Sequence, residues 1–325
     1  MSHGFATETS RPPSFMKAPS IFVSTILVLG FFSSRIDAGA LLPDTVQVPL
    51  TVLHGRLYVR AALQGQAQPN WWLLDTGSPW SFVSAEQARG LSQSNLSTRV
   101  QIASKSGQIL PVLKGIEINI AGQPMGLFDF LKFPSLGDLD ANRNSRVGFE
   151  RPFQTGGILG LNFLVQHRAR FNFPALSLFL TNGSGLSGVS SVRLEGYTAV
   201  PIRVTALGRI EVSGSIGSRL YSFLLDTGSR RSVIDWKIKE TNQIPVRSSG
   251  TLHFVLTAGL LQTSNGDLQN LKIGSLDVSK KYIQFARLTI LLLGFSHPFG
   301  GIIGGDLLWD HEAILDIGER TLYLK

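Results

Sequence analysis

The sequence predicts an all-β protein made of two homologous lobes. Three observations lead there. Short segments rich in β-branched and aromatic residues, broken by Gly, Asn, Ser and Pro, recur along the chain. The tetrapeptide Asp-Thr-Gly-Ser is written twice, at 75–78 and 226–229, each time behind an apolar run. Further landmarks surround both copies in the same order, and fixed-order self-similarity of this kind outweighs any local signal.

Each element can be justified from its residues. The runs Trp71-Trp72-Leu73-Leu74 and Tyr221-Ser222-Phe223-Leu224-Leu225 read as buried strands that deliver an aspartate to a tight turn. Upstream, Val48-Pro49-Leu50 with Gly55-Arg56-Leu57 matches Val200-Pro201-Ile202 with Gly208-Arg209-Ile210. Downstream, Gly156-Gly157-Ile158-Leu159-Gly160 matches Gly300-Gly301-Ile302-Ile303-Gly304. A histidine follows each last glycine at the same distance, His167 and His311, and each copy closes on an apolar hairpin pattern, at 169–180 and 313–324. Strands are also predicted at 98–102, 114–120, 252–257, 271–273 and 288–295. The alternation of Ile116, Ile118 and Ile120 with polar residues marks a half-buried strand. Helical signals are few: residues 84–89 with Ser84 as cap and Gly90 as stop, then 161–167 and 306–311.

The domain reading follows from the repeat. Residues 41–182 form the first lobe and 190–325 the second, joined by a Gly- and Ser-rich linker at 183–189. The first lobe carries an extra polar insertion between Asp129 and Thr155. Within it, residues 138–149 share features of a calcium loop, but Arg143 stands where a glycine is needed and Phe149 where a glutamate is needed, so it reads as a surface loop. Residues 1–40 read as a signal peptide. Lys17 precedes an apolar stretch at 21–32, too short to span a bilayer comfortably, and Ala38-Gly39-Ala40 supplies a cleavage site. Either Met1 or Met16 is the initiator, and an uncleaved anchor is the alternative to cleavage. Both place the remainder outside the cytoplasm, secreted or periplasmic.

Composition bounds the rest. With 325 residues, 43% hydrophobic and 16% charged, the chain has enough apolar material for two cores. The net charge of +8 stays strongly positive without the first 40 residues. No basic stripe with interleaved aromatics accompanies it, so a solvated surface is expected and nucleic-acid binding is not. Zero cysteines means no disulfide support, which lobes of this size do not need. No metal site is expected, since the two histidines read as structural. No cofactor is expected either, and after signal cleavage the chain should be a monomer with no stable membrane span.

Two carboxylates brought face to face can share a proton and run acid–base chemistry, one as base and its partner as acid. Asp75 and Asp226 are the candidates. Gly77 and Gly228 allow a sharp turn and a close approach of backbone amides to the carboxylates. Ser78 and Ser229 are placed to donate to the outer carboxylate oxygens, with ordinary turn capping as the competing reading for these serines and for Thr76 and Thr227. A guanidinium aimed at the pair would favour its doubly ionised form. Arg230 and Arg231, just beyond the second turn, are therefore expected on the surface.

At these residues the chain resembles the aspartic protease superfamily, and its retropepsin-like bacterial branch more than the pepsins. The resemblance covers almost all of the chain beyond residue 40. It implies two retropepsin-like lobes forming a bilobed pseudo-dimer, as in the pepsins, with a central cleft. It implies Asp75 and Asp226 as the catalytic pair. It further implies that Thr76 and Thr227 exchange hydrogen bonds across the lobe interface, and that Gly160 and Gly304 leave room for the aspartate loops. The activity implied is that of an aspartic-type endopeptidase acting on peptide or protein. The rival is a catalytically inactive peptide-binding or scaffold protein of the same fold. The chain departs from the pepsins in the residues after each Asp-Thr-Gly-Ser, in having no obvious flap tyrosine, and in lacking cysteine.

Overall fold

The aspartate strands sit in the middle of their sheets, which is where their apolar sequences require them. In the computed structural model, which describes residues 45–91, 96–101, 109–134, 155–181, 194–254, 259–288 and 295–325, the chain is nearly all β. The predicted leader and linker, most of the insertion expected between Asp129 and Thr155, and most of the strand expected at 288–295 lie outside the described residues.

The first lobe's sheet runs in the order Thr51–Leu53, Arg56–Leu63, Asn70–Leu74, Thr155–Leu159, Phe82–Ser84, Gln123–Phe133, Ile109–Ile120, Leu96–Gln101. A further pairing between Arg56–Leu63 and Ile109–Ile120 folds it back on itself. In the second lobe the order is Ile210–Ile216, Arg219–Leu225, Phe299–Ile303, Val233–Asp235, Lys280–Ala286, Gly259–Leu268, Ser248–Phe254. From the second strand of the first order onward, the two coincide. The agreement extends to register: Leu73 pairs Ile158 and Leu224 pairs Ile302, both in parallel, and each ladder carries a shift one step earlier, at Trp71/Trp72 and at Ser222/Phe223.

These strands are buried on both faces and read accordingly as continuous apolar runs. Trp72, Leu74, Phe223 and Leu225 face the main core, while Leu73 and Leu224, on the alternate face, join two smaller apolar clusters. One glycine from each copy now has a physical reason, at neighbouring rather than identical places of the repeat. A Cβ on Gly157 would lie 2.5 Å from the Phe82 carbonyl and would also strike the Trp72 ring, and one on Gly300 would lie 2.6 Å from Phe223 Cζ. The strand beside each aspartate strand must be bare where the large ring lies.

Six strands tie the lobes together. Thr45–Pro49, Ser177–Thr181 and Arg170–Asn172 from one side meet Ile314–Asp316, Thr321–Leu324 and Thr198–Val204 from the other. The junction is antiparallel, with Phe171 opposite Leu315, both fully buried. Arg170 donates to the buried Asp316 across this junction.

Helices are short, as the sequence indicates. Leu161–Gln166 and Gly305–Asp310 occupy matching places, and His167 and His311 cap their C-termini. His167 is buried against Phe128 and Phe163; His311 Nδ1 lies 3.1 Å from the Lys325 carbonyl. The helix expected at 84–89 is instead a single 3-10 turn, Gln87–Gly90. Ser84 is held in the strand Phe82–Ser84, paired to Gln123–Phe133, so too few residues remain for an α-helix; its hydroxyl still accepts from Gln87 N at 3.2 Å. The matching place in the second lobe holds a helix not expected from the sequence, Trp236–Thr241, capped by Asp235 through Lys237 N.

Candidate active site

Each aspartate leaves its strand with its own amide bound to the neighbouring parallel strand, Asp75 N to Leu159 O (3.1 Å) and Asp226 N to Ile303 O (3.0 Å). The chain then turns tightly, Ser78 N returning to Asp75 O and Ser229 N to Asp226 O. The two turns meet. Thr76 N donates to Thr227 Oγ1 (3.1 Å) and Thr227 N donates to Thr76 Oγ1 (3.0 Å). Each hydroxyl in turn donates to the opposite strand, Thr76 to Leu225 O and Thr227 to Leu74 O, both at 2.8 Å. Four buried hydrogen bonds therefore lock one turn to its counterpart, and both threonines are essentially without exposure.

That lock brings Asp75 and Asp226 into direct hydrogen-bond contact. Gly77 and Gly228 are glycines for a reason beyond the turn. A Cβ on Gly77 would lie 2.5 Å from Asp226 Oδ2, and one on Gly228 would lie 2.5 Å from Asp75 Cγ. Each turn must be bare because the opposite carboxylate fills the space. Backbone amides then hold the carboxylates: Gly77 N and Ser78 N donate to Asp75 Oδ1 at 2.9 and 3.0 Å, and Ser229 N donates to Asp226 Oδ1 at 2.9 Å.

The serine hydroxyls do not reach the carboxylates, contrary to expectation. Ser78 Oγ donates to Trp80 O (2.7 Å) and Ser229 Oγ to Arg231 O (2.8 Å). The acceptor two residues on is closer at hand, and the serine amide already occupies the aspartate oxygen. A second serine pair supports the turns instead. Ser81 Oγ accepts from Gly160 N (3.0 Å) and Ser232 Oγ accepts from Gly304 N (2.9 Å). Ser81 donates onward to Asn162 (2.7 Å) and Ser232 to Asp306 (2.6 Å). The signal for this pair was in the sequence, since a serine stands three places beyond each Asp-Thr-Gly-Ser. Gly160 and Gly304 pass close beside the aspartate loops: a Cβ on Gly304 would lie 2.5 Å from Arg231 O, and one on Gly160 would overlap the Trp80 carbonyl.

Arg230 and Arg231 are exposed, as expected. Guanidinium groups reach the turns from another place, the Gly-Arg pairs that had served only as markers of the repeat. Arg56 Nε donates to Gly228 O at 2.9 Å, and Arg209 Nη1 donates to Gly77 O. Each arginine thus crosses to the opposite lobe's turn. His54 and Gly55, both at positive φ, make the two-residue hairpin turn that aims Arg56. Gly208, also at positive φ, closes the loop held by Thr205 that aims Arg209.

The electrostatics arise from crowding. Each aspartate keeps an accessible edge, yet protein atoms surround both carboxyls closely. Loss of hydration pushes Asp75 well above the ordinary carboxylate range, and the charge of Asp226 and the bond to it push further, against the Gly77 and Ser78 amides. Asp226 is also raised by burial, but less: the bond from Asp75, the Ser229 amide, the Arg209 charge and the Gly228 amide pull it back. Such a pair holds one proton between two carboxylates over a range of pH. Aspartic protease pairs are the standard example of that behaviour, and titration belongs to the pair as a unit.

These features define a two-lobed all-β protein with a pair of coupled aspartates at the lobe boundary. A family model described as aspartyl protease matches residues 212–307, a stretch that lies within the second lobe and includes Asp226. No curated protein matches it. Among solved structures it is similar to an aspartic proteinase from Irpex lacteus, at 16% identity over 86% of this chain and 96% of that one, TM-score 0.46. It is also similar to basic 7S globulin from soybean (12% identity, 87% and 95% coverage, TM-score 0.47) and to conglutin gamma, a basic 7S globulin from lupine seeds (11% identity, 87% and 95% coverage, TM-score 0.48).

Proposed function

We propose that the protein is an aspartic-type endopeptidase in which Asp75 and Asp226 are the catalytic residues. The ionised carboxylate takes a proton from a water, whose oxygen attacks the scissile carbonyl carbon, while the protonated carboxyl donates to the carbonyl oxygen. The resulting gem-diol collapses as the C–N bond breaks, and a proton passes to the leaving amine. The observation that carries this reading is the reciprocal contact of the two Asp-Thr-Gly turns, which puts two desolvated carboxyls in hydrogen-bond contact, held by backbone amides and by glycines with no room for a side chain. Non-catalytic folds have little use for such an arrangement, since burying two unneutralised acids costs stability.

The test is a diverse peptide library profiled from about pH 3 to about pH 8, wide enough to show both limbs of a bell-shaped profile. Wild-type protein should cleave on the acid side of neutrality, and Asp75→Asn and Asp226→Asn should each lose cleavage while remaining folded. Retention of near-wild-type turnover by either variant sinks the shared-dyad mechanism. Peptide binding without turnover at any pH supports the rival reading, a binding protein on the same fold.

A further inference from the structure

We propose that Arg209 is a positioning residue for the aspartate pair: anchored across the lobe boundary on the Gly77 carbonyl, it sets its charge beside Asp226 and fixes Asp226 as the ionised member that takes the water proton, leaving Asp75 to carry the shared proton. The inference rests on the peptidase reading for its chemistry, but the placement of the charge can be measured separately.

The geometry begins from the cross-lobe hydrogen bond between Arg209 Nη1 and Gly77 O. Gly77 lies directly against Asp226, where a Cβ would be 2.5 Å from Oδ2. Its amide also donates to Asp75 Oδ1 at 2.9 Å, so a cation held at Gly77 stands beside both carboxylates, with Asp226 the first and Asp75 the second to interact with its charge. Arg56 is its counterpart at Gly228, against Asp75, but the two contacts are not equivalent. Arg56 donates through Nε, the inner nitrogen, whereas Arg209 donates through the terminal Nη1. Their surroundings differ as well. The Gly55 turn beside Arg56 packs on the side chain of Arg230, an exposed second cation; the Gly208 turn beside Arg209 packs on Pro79, an apolar ring. Arg209 thus has an apolar neighbour beside its turn where Arg56 has a second cation, and a charge beside apolar atoms is screened less than one beside water.

The titration behaviour agrees. Burial lowers the Arg209 guanidinium from its ordinary value, and the charges of Asp226 first and Asp75 second oppose that loss. Arg209 remains cationic at any pH at which a carboxyl pair works. The other charged or titratable groups on elements packed against the pair are His54 and Arg56 on the first hairpin, Arg230 and Arg231 beyond the second turn, and Asp306 at the start of the helix Gly305–Asp310. Asp306 is turned to Ser232 and lies 3.8 Å from Lys280, and Glu211, two residues beyond Arg209, is engaged by Arg203, Ser222 and Ser296. The charge of Arg209 pulls Asp226 down.

The experiment compares Arg209→Gln, Arg209→Lys and Arg56→Gln with wild type. Glutamine keeps a donor for the Gly77 carbonyl without the charge; lysine keeps the charge. Two readouts are used: the pH profile of kcat/KM, and the carboxyl resonances of 13C-labelled aspartate followed against pH. Removing a cation raises the pair's titration, so Arg209→Gln should move both limbs to higher pH. At a fixed pH on the acid limb it should lower kcat/KM by about tenfold, the effect of an opposite charge at close range. Arg209→Lys should return the limbs towards wild type, and Arg56→Gln should move them less than Arg209→Gln. An unmoved carboxyl titration in Arg209→Gln overturns the proposal whatever the turnover. So does an equal movement in Arg56→Gln, or a failure of lysine to restore the titration. A carboxyl titration that moves as expected, in a protein whose wild type cleaves nothing at any pH, supports the charge placement and overturns the peptidase reading.

Discussion

Replacing Thr76 with valine keeps the side chain's shape and removes one hydroxyl from the centre of the lobe boundary. That hydroxyl donates to Leu225 O at 2.8 Å and accepts from Thr227 N at 3.0 Å, so two backbone groups lose their partner. Neither finds water easily, because Thr76 and Thr227 are buried and Leu225 has no exposure. Each stranded group costs about 1–3 kcal/mol, so the variant should lose about 2–6 kcal/mol of stability. Thr227→Val strands a different pair, Leu74 O and Thr76 N. The double variant should cost less than the sum of the two, since the first loss already loosens the junction that the second depends on. Urea unfolding followed by tryptophan fluorescence measures this, with Thr76→Ser as the variant that preserves both bonds. A Thr76→Val loss below about 0.5 kcal/mol, the size of a change at an ordinary surface site, would show that the threonine exchange is incidental to holding the turns together.

Three further outcomes are expected. Asp75→Asn should raise the unfolding midpoint at pH 7, because a carboxyl raised by burial favours the folded state below its unfolded value of 3.8 and loses that advantage as pH rises through its folded value; the gain over wild type should shrink as pH falls towards 3.8, and a gain constant with pH refutes the assignment. Gly77→Ala, whose Cβ would lie 2.5 Å from Asp226 Oδ2, should lower kcat by about a hundredfold through displacement of the carboxylate, with a smaller effect on the unfolding midpoint than Thr76→Val. For Glu211, burial pushes the carboxyl up, but hydrogen bonds from Ser222, Ser296 and Arg203 together outweigh it and hold it below its ordinary 4.5. Its stabilisation is therefore present above 4.5 and lost as pH falls through the folded value. Glu211→Gln should cost about 1–3 kcal/mol near pH 7 and much less in acid, as urea unfolding at the two pH values would show.

The parts of this molecule that were legible in the sequence are those written twice. Asp-Thr-Gly-Ser, the bare glycines before Gly160 and Gly304 and the closing hairpins recur because each lobe meets the same steric demands, such as the space under Trp72 and Phe223. The features that were not legible depend on contacts made far along the chain or on competition among nearby acceptors. Arg56 and Arg209 bond to residues 172 and 132 positions away, so no local pattern reveals their target. The serine hydroxyls at 78 and 229 choose a carbonyl two residues on over a carboxylate already served by an amide, a preference of turn serines that outranks the appeal of a nearby charge. After the strands Phe82–Ser84 and Val233–Asp235, one lobe makes a 3-10 turn and the other an α-helix, and the aspartate cap at 235 was the overlooked clue.

Having both lobes in one chain does more than remove the need for two copies to find each other. The strands Arg170–Asn172 and Ile314–Asp316 pair across the junction, so closure is intramolecular and its entropy is met once, during folding. It also frees the lobes to differ. In a dimer of identical copies the residue after each Asp-Thr-Gly-Ser would be the same, and the two arginines would see the same neighbours. Here Pro79 stands opposite one hairpin and Arg230 opposite the other, and the donors differ accordingly. Two carboxylates that share one proton work fastest when each is already biased to its role, because no free energy is then spent selecting the reactive arrangement from two equal ones. Fusion of the lobes permits that bias, and the unequal surroundings of Arg56 and Arg209 are where this chain has the means to supply it.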